Sequence, residues 1–566
     1  MLSLIHKSRV FHAARGQLSK RISYLNNPNY IEPSSLSSSS KATRIENPKF
    51  SESRPFQNKN ISELFRSLLV FKLCEFKPLL RHGKKAFDLM TRVIGVKLSD
   101  AILRETFFKQ FCGGENHDEV VRKLHKLQDN NIGGILDYAA EAEIEGDLKK
   151  SVPNRNQPAK VFSYDSEESC DAHASRFIQC INTVKDSSVG DGDDFDYQFA
   201  AIKVSALGDP TLLSKMSDFV HETKGLISAF DKSGKGYINH QQFKKICSSM
   251  PNENSSLDLM IRHLDPDGNG SIDSVDWCTA AFTKAPELYL SSTFSSKEID
   301  LIKNMQIRTH YIAKEAFDSD VRLLIDAEQS WIQPAIHIMS LNLQQTYNDV
   351  DKKDHPIIFN TYQCYLKGVL DHLESDISRA NRSGYHFGAK LVRGAYMEGE
   401  RRRAFEHGYE SPIQSTIQDT HECYNAAVHK CLQEMVCADD KGPQSQICLA
   451  THNQASIKFA VKLMEDMGLS PHINLESKDK KKKNQSMVSF AQLYGMSDDL
   501  TIPLAKTSYK VFKYLPYGEI QKVIPYLLRR LEENGDALGK SSNEIKLILN
   551  ELRFRLGTAV QKSIRN

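Results

Sequence analysis

The eleven cysteines contain no C-x-x-C pair and no even framework, which argues against a disulfide scaffold or a zinc ribbon and fits a reducing compartment. No apolar run approaches the roughly 18 residues that a bilayer span needs; the stretch 64–76 is broken by Arg66, Lys72 and Glu75. The formal charge of +3 is too small to imply a nucleic-acid partner. G-x-G-x-x-G is missing, so the usual nucleotide-binding turn of a doubly wound sheet is absent. Acidic residues are missing from the start of the chain: Glu32 is the first, after Lys7, Arg9, Arg15, Lys20 and Arg21 among Ser, Leu and Ile. That composition reads as a mitochondrial transit peptide over 1–45. Six serines in the seven positions 34–40 extend the lead, so folded matter is expected to begin near Asn60.

What is present is enough for a large domain. The 566 residues are 40% hydrophobic and 26% charged, ordinary for a globular protein. After a helical region, 60–130, apolar runs of strand length alternate with amphipathic helices, the βαβ signal. Eight strands are predicted: 132–139, 199–207, 322–328, 356–362, 387–396, 446–453, 487–493 and 508–514. Most are continuously apolar, as parallel strands covered on both faces must be. Eight such units close into an α/β fold of the (βα)₈ TIM type, over 131–210 and 318–540.

In such a barrel chemistry sits where strands end and βα loops begin. Polar residues collect there: Asp137 and Glu141 after the first strand, Lys203 and Ser205, Asp326 and Glu328, Asn360, Thr361 and Gln363, then Lys390, Arg393 and Tyr396, then Thr451, His452 and Asn453. Any one of these is more often a solvated loop residue, but six strands carrying them together favour a site.

The segment 211–317 is far longer than a βα connection and holds two twelve-residue stretches with EF-hand spacing. In the second, Asp265, Asp267, Asn269, Ser271 through its carbonyl, Asp273 and Asp276 occupy ligand positions, with Gly270 at the turn. Its last ligand is Asp where Glu usually supplies two oxygens, so weak Ca²⁺ binding is expected. The first keeps Asp231, Ser233, Gly236 and Asn239, but Lys235 and Gln242 spoil two ligand positions. Ile238 and Ile272 stand where paired loops form a short antiparallel bridge. The other reading is a relic of this shape that holds no metal.

Residues 513–535, KYLPYGEIQKVIPYLLRRLEENG, place Tyr526, Arg529, Arg530 and Glu533 on one helical face. Two adjacent guanidinium groups suit an anionic substrate, although a solvated Arg-Arg pair is the commoner occurrence. This helix, with LIDAE at Leu324, NTYQCYLK at Asn360, KLVRGAY at Lys390, THN at Thr451, FAQLYGM at Phe490, ILDYAAEA at Ile135 and FAAIKVSALG at Phe199, resembles the proline dehydrogenase family. The likeness runs from about 110 to 540 in the family's order and is strongest to the animal mitochondrial type.

The resemblance implies an FAD enzyme that takes a hydride from C5 of proline onto flavin N5, giving 1-pyrroline-5-carboxylate, and passes electrons to ubiquinone at the inner membrane surface facing the matrix. It maps the substrate site onto Lys203, Asp326, Tyr396, Leu493, Tyr514, Tyr526, Arg529 and Arg530, with Glu141 as a gate that pairs with an arginine. It maps FAD onto Asn360, Gln363, Lys390, Val392, Ala395, Thr451, His452, Asn453 and Glu533. Lys390 stands where relatives usually carry Arg, a point contact in place of a fork. The basic amphipathic tail, 541–566, either docks on the membrane or packs on the barrel. Hydroxyproline dehydrogenase is the alternative of the same chemistry; a calcium-sensing scaffold with an inactive barrel is the alternative from another class.

Overall fold

A computed structural model describes residues 48–50, 54–139, 164–187, 198–248, 257–266, 268–438, 442–469, 487–536 and 538–565. The chain divides into a unit Met1–Glu46, outside the described residues, and a unit Asn47–Asn566 that holds everything below. The expected transit peptide, Glu141, Asp267 and the side chain of Glu533 also lie outside the described residues.

Eight strands close into a parallel barrel: β1 (Gly133–Tyr138), β2 (Phe199–Ile202), β5 (Arg322–Ile325), β6 (Ile358–Gln363), β7 (Phe387–Val392), β8 (Ser445–Ala450), β9 (Val488–Leu493) and β10 (Lys510–Tyr517). Each pairs with its neighbours in chain order, and β10 returns to β1 with Ile135 opposite Tyr514. All eight predicted strands are present. Four of them stop early, at Ile202, Ile325, Val392 and Ala450; after β2 the apolar pattern feeds a buried turn, Val204–Ala206.

Period-2 alternation divides each strand between lumen and helix layer. Ile135, Phe199, Ala201, Leu324, Phe359, Cys448, Ala491 and Phe512 fill the lumen as one cluster. Phe199 packs edge-on to Phe359 and Phe512, with ring centroids 5.5 and 4.9 Å apart. The barrel is therefore plugged at its middle by apolar side chains.

Between β2 and β5 lies the insertion. Two short strands, β3 (Tyr237–Asn239) and β4 (Ser271–Asp273), pair antiparallel with Ile238 opposite Ile272, the bridge expected from the spacing. The segment is not all insertion: Ser296–Asp318 packs on β5 and on the helix Glu167–Ser187, so it belongs to the outer ring of the barrel. Ser295 and Glu298 close its N-terminus as a capping box.

The helices Ile61–Cys74, Lys77–Ile94 and Val96–Leu103 precede the barrel. Gly83 lets the second of these approach the final barrel helix, Ile520–Asp536: a Cβ there would lie 3.1 Å from Leu528 and Leu531. In the C-terminal helix, Leu538–Arg565, the apolar face is partly covered: Ile545 and Ile548 are buried against Phe56, Leu64 and Phe71, while Phe554 and Leu556 are exposed. Glu551 accepts from both Arg54 and Arg555, strapping the helix down. Of the two roles open to this tail, packing takes the first half of the apolar stripe, while Leu556 remains exposed. Among the described residues no helix is long and apolar enough to cross a membrane.

Candidate active site

The strand ends place a charged network in the mouth of the barrel. Asp326, one residue past β5, is at its centre. Lys390 of β7 forms an ion pair with it, and Tyr514 of β10 donates its hydroxyl to Oδ2 at 2.7 Å. Lys203, one residue past β2, lies 3.8 Å from Asp137 of β1. Burial alone would raise the Asp326 carboxyl, but Lys390 and then Lys203 outweigh it and hold the group below its ordinary value. Burial, then Asp137 and Asp326, push the Tyr514 phenol well up, so this tyrosine stays a donor. Glu328, on the same loop as Asp326, accepts from Ser205 N and Oγ at 2.9 and 2.5 Å.

The helix Ile520–Asp536 follows β10. Tyr526 is buried in one cluster with Ala139 and Leu493, at the ends of β1 and β9. Arg529 and Arg530 lie beside its ring, 5.9 and 4.8 Å from the centroid, with Arg530 only 6% exposed. Arg530 is therefore no solvated surface side chain, and Arg529 is half-buried beside the same ring. Tyr396, also buried, caps the helix that follows β7.

A second cation lies beside the mouth. Arg393 donates Nε to His421 Nδ1 at 3.1 Å and Nη2 to Ser456 Oγ at 2.7 Å, also bonds Thr451 Oγ1, and stacks 4.3 Å from the Tyr424 ring centroid. None of these partners is a carboxylate, so among the described residues no acid is paired with this charge. Ser456 is in the first turn of the helix Gln454–Asp466, whose N-terminus is capped by Asn453. Gly394 leaves the adjoining strand end bare: φ is +123°, and a Cβ would lie 2.3 Å from the Tyr365 ring.

The family model described as Proline dehydrogenase matches residues 197–543. The chain belongs to the proline dehydrogenase family. It is similar to "Proline dehydrogenase 1, mitochondrial" of Drosophila melanogaster, 31% identical over 88% of this chain and 79% of that protein. The Homo sapiens protein of the same name is 30% identical over 89% of this chain and 88% of its own. A Bos taurus hydroxyproline dehydrogenase is 28% identical over 88% and 92%. Among solved structures, proline utilization A of Bdellovibrio bacteriovorus superposes with a TM-score of 0.51 at 16% identity, a likeness of fold. The match covers 84% of this chain and 36% of that longer one.

Within this proline dehydrogenase fold, Lys203, Asp326, Lys390 and Tyr514 meet at the strand ends, and Leu493, Tyr526, Arg529 and Arg530 gather around the helix Ile520–Asp536. Gln363 points into the barrel mouth and donates to Glu328 O at 2.7 Å. Val392 is half-buried and Ala395 exposed beside it. Asn360 is different. It falls between the lumen-facing Phe359 and Thr361, so its amide turns into the helix layer, 3.0 Å from His337, which pairs with Asp376. Thr451, His452 and Asn453 are spent on ordering the loop: Thr451 takes Arg393, His452 Nε2 accepts from Leu493 N at 3.0 Å, and Asn453 caps its helix.

The metal positions behave differently from expectation. Asp273 and Asp276 are ion-paired with Arg379 and Arg382, so the residues present do not fit a calcium ion. Among the described residues no cluster of three or more acidic, His or Cys side chains is disposed to hold a metal.

Asp137, Ser205, Glu328 and Arg393 were visible in the sequence only as polar residues at strand ends, without roles. His421, on the helix Ile417–Cys437, carried no signal at all.

Proposed function

We propose that this protein is an FAD-dependent proline dehydrogenase of the mitochondrion that oxidises L-proline to 1-pyrroline-5-carboxylate and hands the electrons to a membrane quinone such as ubiquinone. Two observations support the reading: Lys203, Asp326, Lys390 and Tyr514 form a charged network at the strand ends, and the helix that follows β10 carries the buried Arg530 beside Arg529 and the Tyr526 ring. The guanidinium pair grips a carboxylate bidentately, while Tyr526, Leu493 and Tyr514 supply apolar walls for a saturated ring. Asp326 accepts and fixes neighbouring cations; its depressed carboxyl favours electrostatic positioning over strong base chemistry.

Bound FAD supplies the two-electron acceptor. The chain suits it chemically. Arg393 offers a cation, bonded to no acid among the described residues, next to the capped N-terminus of Gln454–Asp466, a pairing that favours a diphosphate. Lys390 and Gln363 line the lumen next to the bare ledge at Val392, Gly394 and Ala395.

Docking to a membrane is supported at the opposite end of the chain from the tail. Where Lys77–Ile94 meets Val96–Leu103, Leu89, Val93, Ile94, Val96, Leu98 and Ile102 are all exposed, Val93 to 73%. Residues 77–98 contain six cations, Lys77, Arg81, Lys84, Lys85, Arg92 and Lys97, against Asp88 alone. Exposed aliphatics in a stretch this rich in positive charge are the composition of an interfacial helix.

Turnover of proline beside hydroxyproline separates the two enzymes of this chemistry. The decisive experiment is the visible spectrum of the purified protein before and after anaerobic proline. A flavin band near 450 nm that bleaches is expected; a colourless protein, or a yellow one that proline leaves unchanged, would overturn the assignment.

A further inference from the structure

The insertion contains two loops, 231–242 and 265–276, whose acids suit a divalent cation by spacing alone. In the structure the side-chain oxygens of Asp265, Asn269, Asp273 and Asp276 in the second loop are all already engaged. Asp273 Oδ2 accepts from Arg379 Nη1 and Arg382 Nη2, both at 2.6 Å, and its Oδ1 takes the backbone N–H of Val275 and Asp276. Asp276 Oδ1 accepts from Arg379 Nη2 at 2.7 Å and its Oδ2 from Asp273 N at 2.9 Å.

At the head of the loop Asp265 meets His240 Nε2 at 2.8 Å through Oδ2, which also accepts from Gly270 N, while Oδ1 accepts from Asn269 N. Asn269 Oδ1 accepts from Ser271 N. The first loop is closed the same way. Asp231 accepts from Ser233 and Gly236, and Asn239 and Gln242 bond each other's backbone N–H groups, with Gln242 also donating to Phe230 O.

The arginines come from the barrel. Both belong to Val369–Ser383, the helix after β6, and the Arg379 side chain is 3% exposed, held also by Gln345 at 3.0 Å. A calcium ion needs six to eight oxygens converging at about 2.3–2.6 Å. Here the two closing carboxylates point outward onto guanidinium forks, which match carboxylates in charge and shape but present donors from outside the loop.

We propose that Arg379 and Arg382 stand in place of the divalent cation. The module is thereby held closed without metal, as a permanent brace that ties the β2–β5 crossover to the helix after β6. The proposal is independent of the reaction assigned above.

The test is thermal unfolding and calcium titration calorimetry on the full chain, in millimolar CaCl₂ and in EGTA. The unaltered protein should unfold at the same temperature in both and give no binding heat. Arg379→Ala/Arg382→Ala should unfold roughly 5 °C lower or more in EGTA, since it leaves buried carboxylates unpaired, and recover part of that loss with calcium. Calcium bound stoichiometrically by the unaltered chain would overturn the proposal. So would a double variant as stable as the parent, or one whose loss calcium does not relieve. Should the double variant fail to fold, Arg382→Ala alone, which keeps Arg379, is read by the same criteria.

Discussion

The Tyr514 hydroxyl donates to Asp326 across the mouth of the barrel, 2.7 Å away, from a strand separated from β5 by β1 and β2. This bond ties the wall of the site to its charged centre. Its energetic weight is that of a hydrogen bond to a charged group, about 1.5–3 kcal/mol. Tyr514→Phe should therefore lower kcat/KM for proline roughly 10- to 100-fold with a soluble dye as acceptor, leaving the flavin spectrum in place. Unchanged kinetics would remove Tyr514 from the site.

For the guanidinium pair the expected signature is in KM. Arg529→Ala and Arg530→Ala should each raise the KM for proline by one to three orders of magnitude, because a charge-assisted carboxylate contact is lost in ground and transition state alike. A fall in kcat at constant KM would point to a role other than the clamp.

Arg393 is tested by cofactor retention. Its guanidinium faces neutral partners only, so substitution removes a cation without stranding a carboxylate. Arg393→Met should lose FAD on gel filtration and regain absorbance when FAD is added, with a Kd at least tenfold higher. Full retention would place the diphosphate elsewhere.

The strands were legible because parallel barrel strands are buried on both faces and read as continuous apolar runs; GGILDY of β1 is buried at every residue. What failed was finer. Asn360 went to the wrong face because a strand's side alternates with every residue, and a run that is apolar on both sides carries no mark of which parity faces the lumen. The acids of the second loop read as metal ligands because their partners are distant in sequence: Asp273 and Arg379 are 106 residues apart. The C-terminal helix likewise finds Arg54 at a separation of 497. Local spacing shows which groups could converge; it does not show what the rest of the fold brings to meet them.

The apolar tip makes a prediction separable from catalysis. Val93→Glu/Leu98→Glu should reduce co-flotation with vesicles containing anionic lipid severalfold and slow reduction of a bilayer-dissolved quinone, while turnover with a soluble dye stays unchanged. Truncation after residue 540 removes Ile545 and Ile548 from a buried cluster, so it should lower stability before it alters lipid binding. Undiminished flotation of the double variant would move the docking surface elsewhere.

Glu328 gives the chain a pH dependence with a definite sign. Burial pushes its carboxyl up to about 7, although Ser205 and Lys203 pull it down. In the unfolded chain the same group titrates near 4.3. Between these values the folded state holds a proton that the unfolded state has released, so stability falls as pH rises through the window and levels off above about 7. The loss is about 3 kcal/mol in order of magnitude. Glu328→Gln keeps the shape and cannot ionise. The difference in unfolding free energy between parent and variant should therefore slope downward from pH 4.5 to 7 and be flat beyond. Parallel curves across that range would show that Glu328 titrates as an ordinary carboxyl and that its burial against Ser205 costs the protein nothing at neutral pH.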